Sequence, residues 1–283
     1  MTTPASDAVR PGHEPWEAHL ELAYARRDAD TVPSLRRHLG PLRVQKHFAP
    51  EPGLCEHVIV HPPAGIAGGD RLRVEVAVGP GARARLTTPG ATRWYRSAGP
   101  LATSTVAAGV GEGGALEWLP QEQIVFDGAE ALSECRFKLA PGASLIAWDL
   151  VVLGRQAGAE PFVRGTWRSR LDVEVDGRLV LAERCVLGAG DALRRSALGW
   201  GGQDAVATFI AAGPWGAVVP RPLLDVARAV EPGAGVSDVE GLVVARWLAD
   251  SSSRARGWLE ALWKLARPAL IETPAVPPRI WRT

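Results

Sequence analysis

The sequence has little cysteine: three in 283 residues, Cys55, Cys135 and Cys185, with no C-x-x-C pair. That spacing disfavours a zinc knuckle and a disulfide scaffold alike, and it fits free thiols in a reducing compartment. Net charge is nearly absent. Thirty-two Lys and Arg against thirty-one Asp and Glu leave +1, so bulk electrostatics point to no nucleic-acid partner. No apolar run approaches the ~20 residues of a membrane span. The longest, Leu145 to Leu153, is interrupted by Asp149. Residues 1–15 lack the apolar segment of a secretory signal and read as a flexible, Pro-, Thr- and Ser-rich tail. No serine sits in a G-x-S-x-G elbow, and no H-E-x-x-H occurs. A soluble, cytoplasmic chain is expected, long enough for one large or two small domains.

Turn residues are plentiful. Glycine (31) and proline (23) are spread along the chain, which suggests many turns rather than one disordered block. The densest cluster is His61 to Arg71, HPPAGIAGGDR. Its two prolines cannot donate to a ladder, and its glycines permit a tight corner. A phosphate cradle would need Gly-Lys-Ser/Thr, or G-x-G-x-x-G opening a helix. That stretch has neither, and an alternating strand follows it.

From residue 71 a loose repeat emerges: an alternating strand, a turn ending in Gly-Ala, a second strand. The copies are Val74–Leu86, Val106–Trp118 and Cys135–Ala147. A period of roughly thirty residues is typical of solenoids or stacked sheets, whose units cannot bury their own faces. We therefore expect an all-β, stacked or helical body over residues 16–203. A hairpin should turn at Asp176-Gly177. Residues 204–283 read as a mixed α/β part on the same body. Its first helix should start at Pro222, with Leu223, Val226, Ala227 and Val230 on one face. Its last should be capped by Ser253, with Trp258, Leu259, Leu262, Trp263 and Ala266 inward, and should end before Pro268.

Several residues could carry chemistry. At strand spacing Cys55, His57, Ile59 and His61 share a face, although same-face neighbours ~6.6 Å apart do not converge on one ion without a bulge. Arg93, Tyr95 and Arg96 could hold an anion or a partner's carboxylate; they could equally be a solvated polar turn. Glu117, Glu122 and Asp127 punctuate an apolar stretch and could serve acid/base work or bind a hard cation. Asp149 and Glu183 each sit within an apolar strand. A buried carboxylate must be paired, protonated, metal-bound or facing water. Arg184 and Arg155 are the nearest candidate partners in sequence, and a water-filled, acid-lined interior is the alternative. Near the C-terminus Trp281 should either pack back or meet a partner.

HPPAGIAGGDRL, LTTPGATRWYRSAGP, LEWLPQEQIVFDGA, LIAWDLVVLGR, GRLVLAERCVL and PPRIWRT, in this order, resemble the urease accessory protein UreD (UreH) family. The resemblance runs from about residue 16 to the C-terminus. It departs at Ala64 and Ala67, where glycine and a larger aliphatic are common, and at Arg93-Trp94, where Lys-Phe is common. It implies a mainly β fold, a right-handed β-helical body with a few C-terminal helices. It implies a non-catalytic scaffold that binds a UreF-type accessory protein, reaches a UreG-type GTPase through it, and docks on apo-urease as a dimer of heteromers. The implied cargo is transient Ni²⁺ in an internal tunnel, with no tightly bound cofactor. Motif matching places Asp70, Asp149 and Glu183 on that tunnel, and Glu122 is added as a further candidate. The rival reading is a cytoplasmic β-helical lyase or hydrolase of carbohydrates.

Overall fold

About half of the chain folds as strands, many of them stretches in which apolar and polar residues alternate with period two. The computed structural model describes residues 15–282. The expected N-terminal tail therefore lies, but for Pro15, outside the described residues. A hairpin of β1 (Glu17–Arg27) and β2 (Asp30–Leu39) comes first, then the short β3 (Arg43–Val44). Beyond β3, the chain before β4 adds only a bridge from Phe48 to Glu56.

About four coils follow, laid on two walls. The first holds β4 (Leu54–Val60), β5 (Gly65–Ile66) and β6 (Arg71–Val78). The second holds β7 (Arg83–Thr87), β8 (Thr92–Trp94) and β9 (Ala102–Val110), and the third β10 (Ala115–Leu119), β11 (Gln123–Val125) and β12 (Ala129–Leu139). In the fourth, β13 (Ser144–Leu153) is long enough to pair with both β10 and β11, and β14 (Gly165–Val175) completes the coil. Coils stack in parallel. Arg71 faces Thr103, Ala102 faces Ala131 and Ala129 faces Gly165, offsets of 32, 29 and 36 residues. This is the stacked body expected from the recurring Gly-Ala turns. Those turns superpose: Gly81, Gly113 and Gly142 take φ of +63°, +61° and +67°, a conformation that only glycine adopts cheaply.

β15 (Arg178–Gly188) returns antiparallel to β14. Asp176 and Gly177 between them both have positive φ, the expected two-residue turn. β16 (Ala205–Ala212), β17 (Gly235–Val239) and β18 (Leu242–Ala249) extend the second wall beyond β13. One wall is thus a seven-stranded sheet ordered β15-β14-β12-β9-β6-β1-β2. The other is ordered β17-β18-β16-β13-β10-β7-β4-β3, with the short β5, β8 and β11 joined through β13.

The walls differ in what covers them. β6 alternates buried with exposed or half-buried positions, because one face meets water. β10 is buried throughout, because its outer face is covered. The cover is α1 (Arg221–Val230) and α2 (Ser252–Ile271). In α1, Leu224 and Ala227 are buried while Val226 is 49% exposed, so the helix is rolled about one residue from the expected face. In α2 the expected apolar face is buried. Its cap is Ser251, not Ser253, with Ser251 Oγ accepting the Arg254 N–H at 3.3 Å. The helix also continues through Pro268 to Ile271. The carbonyl that loses its donor belongs to Lys264, an exposed position, and buried Arg267, Leu270 and Ile271 hold the final turn.

Candidate functional site

The segments that carry the family resemblance stack in one column. Ile66 faces Trp94, Trp94 faces Val125 and Val125 faces Leu153. HPPAGIAGGDR therefore lies on TRWYRS, which lies on QIVFDG, which lies on LVVLGR. Close approach explains two glycines in the first corner. A Cβ on Gly65 would stand 2.1 Å from the Tyr95 ring, and one on Gly68 would stand 2.2 Å from Ser97 Oγ. Two positions in this corner are left-handed, Gly69 at φ +94° and Ala64 at φ +58°; at Ala64 the resemblance leads one to expect glycine.

Inside the column lies a polar row. On β13, Ile146, Trp148, Leu150 and Val152 face the helices, while Leu145, Ala147, Val151 and Leu153 face the interior. Period two puts Asp149 on the interior face. Asp149 stands opposite Thr208 on β16, and Thr208 opposite Arg246 on β18. From the other sheet Glu183 on β15 reaches across and forms an ion pair with Arg246. All four border a cavity of about 500 Å³ between the walls. A second cavity, about 390 Å³, runs toward His61 and Arg93. The two share Trp118, Ser133, Cys135, Trp148 and Asp149. Asp149 is thus the carboxylate at the junction. It lies deep in the protein yet keeps some accessible surface, because the cavities beside it admit water.

Burial raises the pKa of Asp149, against hydrogen bonds from Gln123 and the Leu150 N–H. Gln123 Nε2 donates to Asp149 Oδ1 at 2.6 Å and to Ser133 Oγ at 3.3 Å. Its orientation is set from behind. Trp94 Nε1 can only donate, and it donates to Gln123 Oε1 at 3.1 Å, so the amide nitrogen must face Asp149. Burial, then the charges of Asp149 and Glu134, push the Cys135 thiol well above its ordinary range.

The remaining candidates lie elsewhere. Asp70 Oδ1 accepts the Trp16 N–H at 2.8 Å and Oδ2 accepts the Ala67 N–H at 2.8 Å. Its carboxylate ties the corner to the start of β1 and borders neither cavity. Glu122 lies beside the Arg256 guanidinium, also outside both. Arg93 borders the smaller cavity, Tyr95 packs edge-on to Phe126, and the Arg96 stem lies over Gly128. Trp281 packs back: its Nε1 donates to Thr87 Oγ1 at 2.8 Å and its ring meets Trp148 and Trp263. The arginines near Asp149 and Glu183 in sequence serve other carboxylates, Arg184 with Asp172 and Arg155 with Glu160. Cys55, His57 and His61 do not converge. His57 accepts or donates at Nδ1 to the Tyr24 hydroxyl at 2.7 Å, and burial pushes its pKa down to about 4. Sequence reasoning missed Gln123, Thr208 and Arg246. Arg246 could have been found, being the lone ionisable residue of an apolar strand, as Asp149 is.

A second charged cluster lies on the opposite face of the larger sheet. Glu117 Oε1 accepts Trp263 Nε1 at 2.6 Å and Arg267 Nε at 3.0 Å, and Oε2 accepts Arg85 Nε at 3.1 Å. Arg85 also holds Glu56, and Arg267 also holds Glu51. Both arginines reach the chain after α2, at the carbonyls of Val276 and Thr273.

Comparison of the sequence with known proteins points to one family. The family model described as UreD urease accessory protein covers residues 17–282. The chain is 50% identical over 271 residues to the urease accessory protein UreD of Pseudomonas fluorescens, covering 95% of each. It is 49% identical over 276 residues to that of Pseudomonas aeruginosa, covering 96% of each. For the Dechloromonas aromatica protein of the same name the identity is 45% over 280 residues, covering 97% of each. The stacked body, and the motifs that form its corners, belong to a chain that is a member of the UreD urease accessory protein family.

Proposed function

We propose that this chain is a cytoplasmic, non-catalytic scaffold for urease maturation and that its interior conducts Ni²⁺ to apo-urease. It would bind a UreF-type accessory protein, reach a UreG-type GTPase through that partner, and dock on apo-urease within a dimer of heteromers. The lyase or hydrolase alternative gives way, since the relatives are named as accessory proteins and not as enzymes. The observation that carries the conduit is the junction at Asp149, where two cavities between the walls share one carboxylate. A carboxylate there, with Glu183 farther along, suits a hydrated divalent cation that must be released again. Tight sets of Cys and His ligands would retain a late transition metal instead.

Asp149→Ala and Glu183→Ala test this reading. Pull-down of the UreF-type partner and urease should be unchanged, while activation of apo-urease falls. Normal activation in both variants, or a loss that follows only from lost partners, would sink it.

A further inference from the structure

Resting on that reading, we infer that Arg246 is an electrostatic latch on the conduit. Its guanidinium occupies the Glu183 carboxylate at the open end of the interior, and a divalent cation gains that carboxylate only by displacing it.

Three observations lead here. First, Glu183 and Arg246 come from different walls, β15 at the end of one sheet and β18 near the end of the other. Their ion pair therefore spans the gap between the walls beyond the last coil. Arg178 and Glu240 make a second crossing of the same gap at 2.7 Å. Second, Arg246 continues the interior row Asp149–Thr208–Arg246 on neighbouring strands. At ~4.8 Å per strand it stands about 10 Å from Asp149 along the backbone. Of the two interior carboxylates, one is held by a neutral amide, from Gln123, and the other by a cation, from Arg246. Third, the pair is half open to water, with side chains 41% and 32% exposed. An ion pair so placed is weak, so the guanidinium can swing out at small cost. While it stays, its positive charge repels a second cation from the same carboxylate. The latch thus makes occupancy of the open end competitive between the protein's own cation and the metal.

The test is Ni²⁺ binding to the full-length chain, by equilibrium dialysis and by quenching of the tryptophans whose side chains border the larger cavity, Trp118, Trp167 and Trp200. Arg246→Met should bind about threefold to tenfold tighter than wild type, because no cation need be displaced. Arg246→Lys should stay close to wild type. Adding Glu183→Gln to Arg246→Met should abolish the gain. Should Arg246→Met fail to fold by circular dichroism, Arg246→Gln carries the same expectation. If Arg246→Met binds no tighter while Glu183→Gln alone weakens binding, the latch is wrong and the conduit stands. If neither Asp149→Asn nor Glu183→Gln changes Ni²⁺ binding, the conduit reading falls and the latch falls with it.

Discussion

The larger sheet carries buried carboxylates on both of its faces, and the two faces treat them oppositely. On the outer face Glu117 is 1% exposed and meets two guanidiniums and an indole N–H. On the inner face Asp149 meets the Gln123 amide and the Leu150 N–H, with water-accessible space beside it. The first arrangement satisfies the charge and welds α2, and the chain that follows it, to the body. The second leaves the charge only partly compensated. A sheet covered on one side and hollow on the other separates these tasks by strand periodicity alone, since neighbouring residues point to opposite faces.

The contrast can be broken on the outer face with the largest effect. Glu117→Ala should cost about 3–5 kcal/mol, because Arg85 and Arg267 would remain buried without their shared anion. Urea denaturation at neutral pH measures it, and a loss under about 1 kcal/mol would mean that the cluster is not a weld.

Asp149→Asn should shift stability the other way, by up to about 1 kcal/mol at pH 7. The sign follows from linkage. Burial raises the folded-state pKa of Asp149 above its unfolded value, so ionisation at neutral pH favours unfolding. The advantage of asparagine should fade as pH falls through the raised pKa toward the ordinary aspartate range. Denaturation curves at several pH values compare the two chains, and a loss of stability at pH 7 would contradict the assignment.

Glu183→Gln should have the smallest effect, below about 1 kcal/mol, since its ion pair with Arg246 is partly solvated. Thermal unfolding reads it. A Tm change as large as that of Glu117→Ala would make the Glu183–Arg246 pair a structural staple rather than a movable contact.

The thirty-residue recurrence of Gly-Ala turns was sufficient to predict the stacked body, because each such turn demands a left-handed residue and glycine supplies it. Asp149 was also legible: one carboxylate in an otherwise apolar strand must find a partner or water whichever face it takes. Its partner was not. Gln123 lies on a neighbouring coil, and only the stacking of Trp94, Gln123 and Asp149 orients the amide. Glu183 likewise pairs with Arg246, 63 residues away, rather than with the arginine beside it, which points outward to Asp172. Asp70 stood out in sequence, yet the corner turns its carboxylate onto two backbone N–H groups. The C-terminal end of α2 departs from expectation because the local signal at Pro268 yields to burial of Arg267, Leu270 and Ile271.

By itself, then, the sequence determined the mainly β class, the repeat and the family, which rest on local periodicity, turn chemistry and long motifs. Which carboxylates are welded and which face the hollow was decided only by tertiary structure. That depends on which strands of different coils meet, and a local pattern carries no information about a partner one or two coils away.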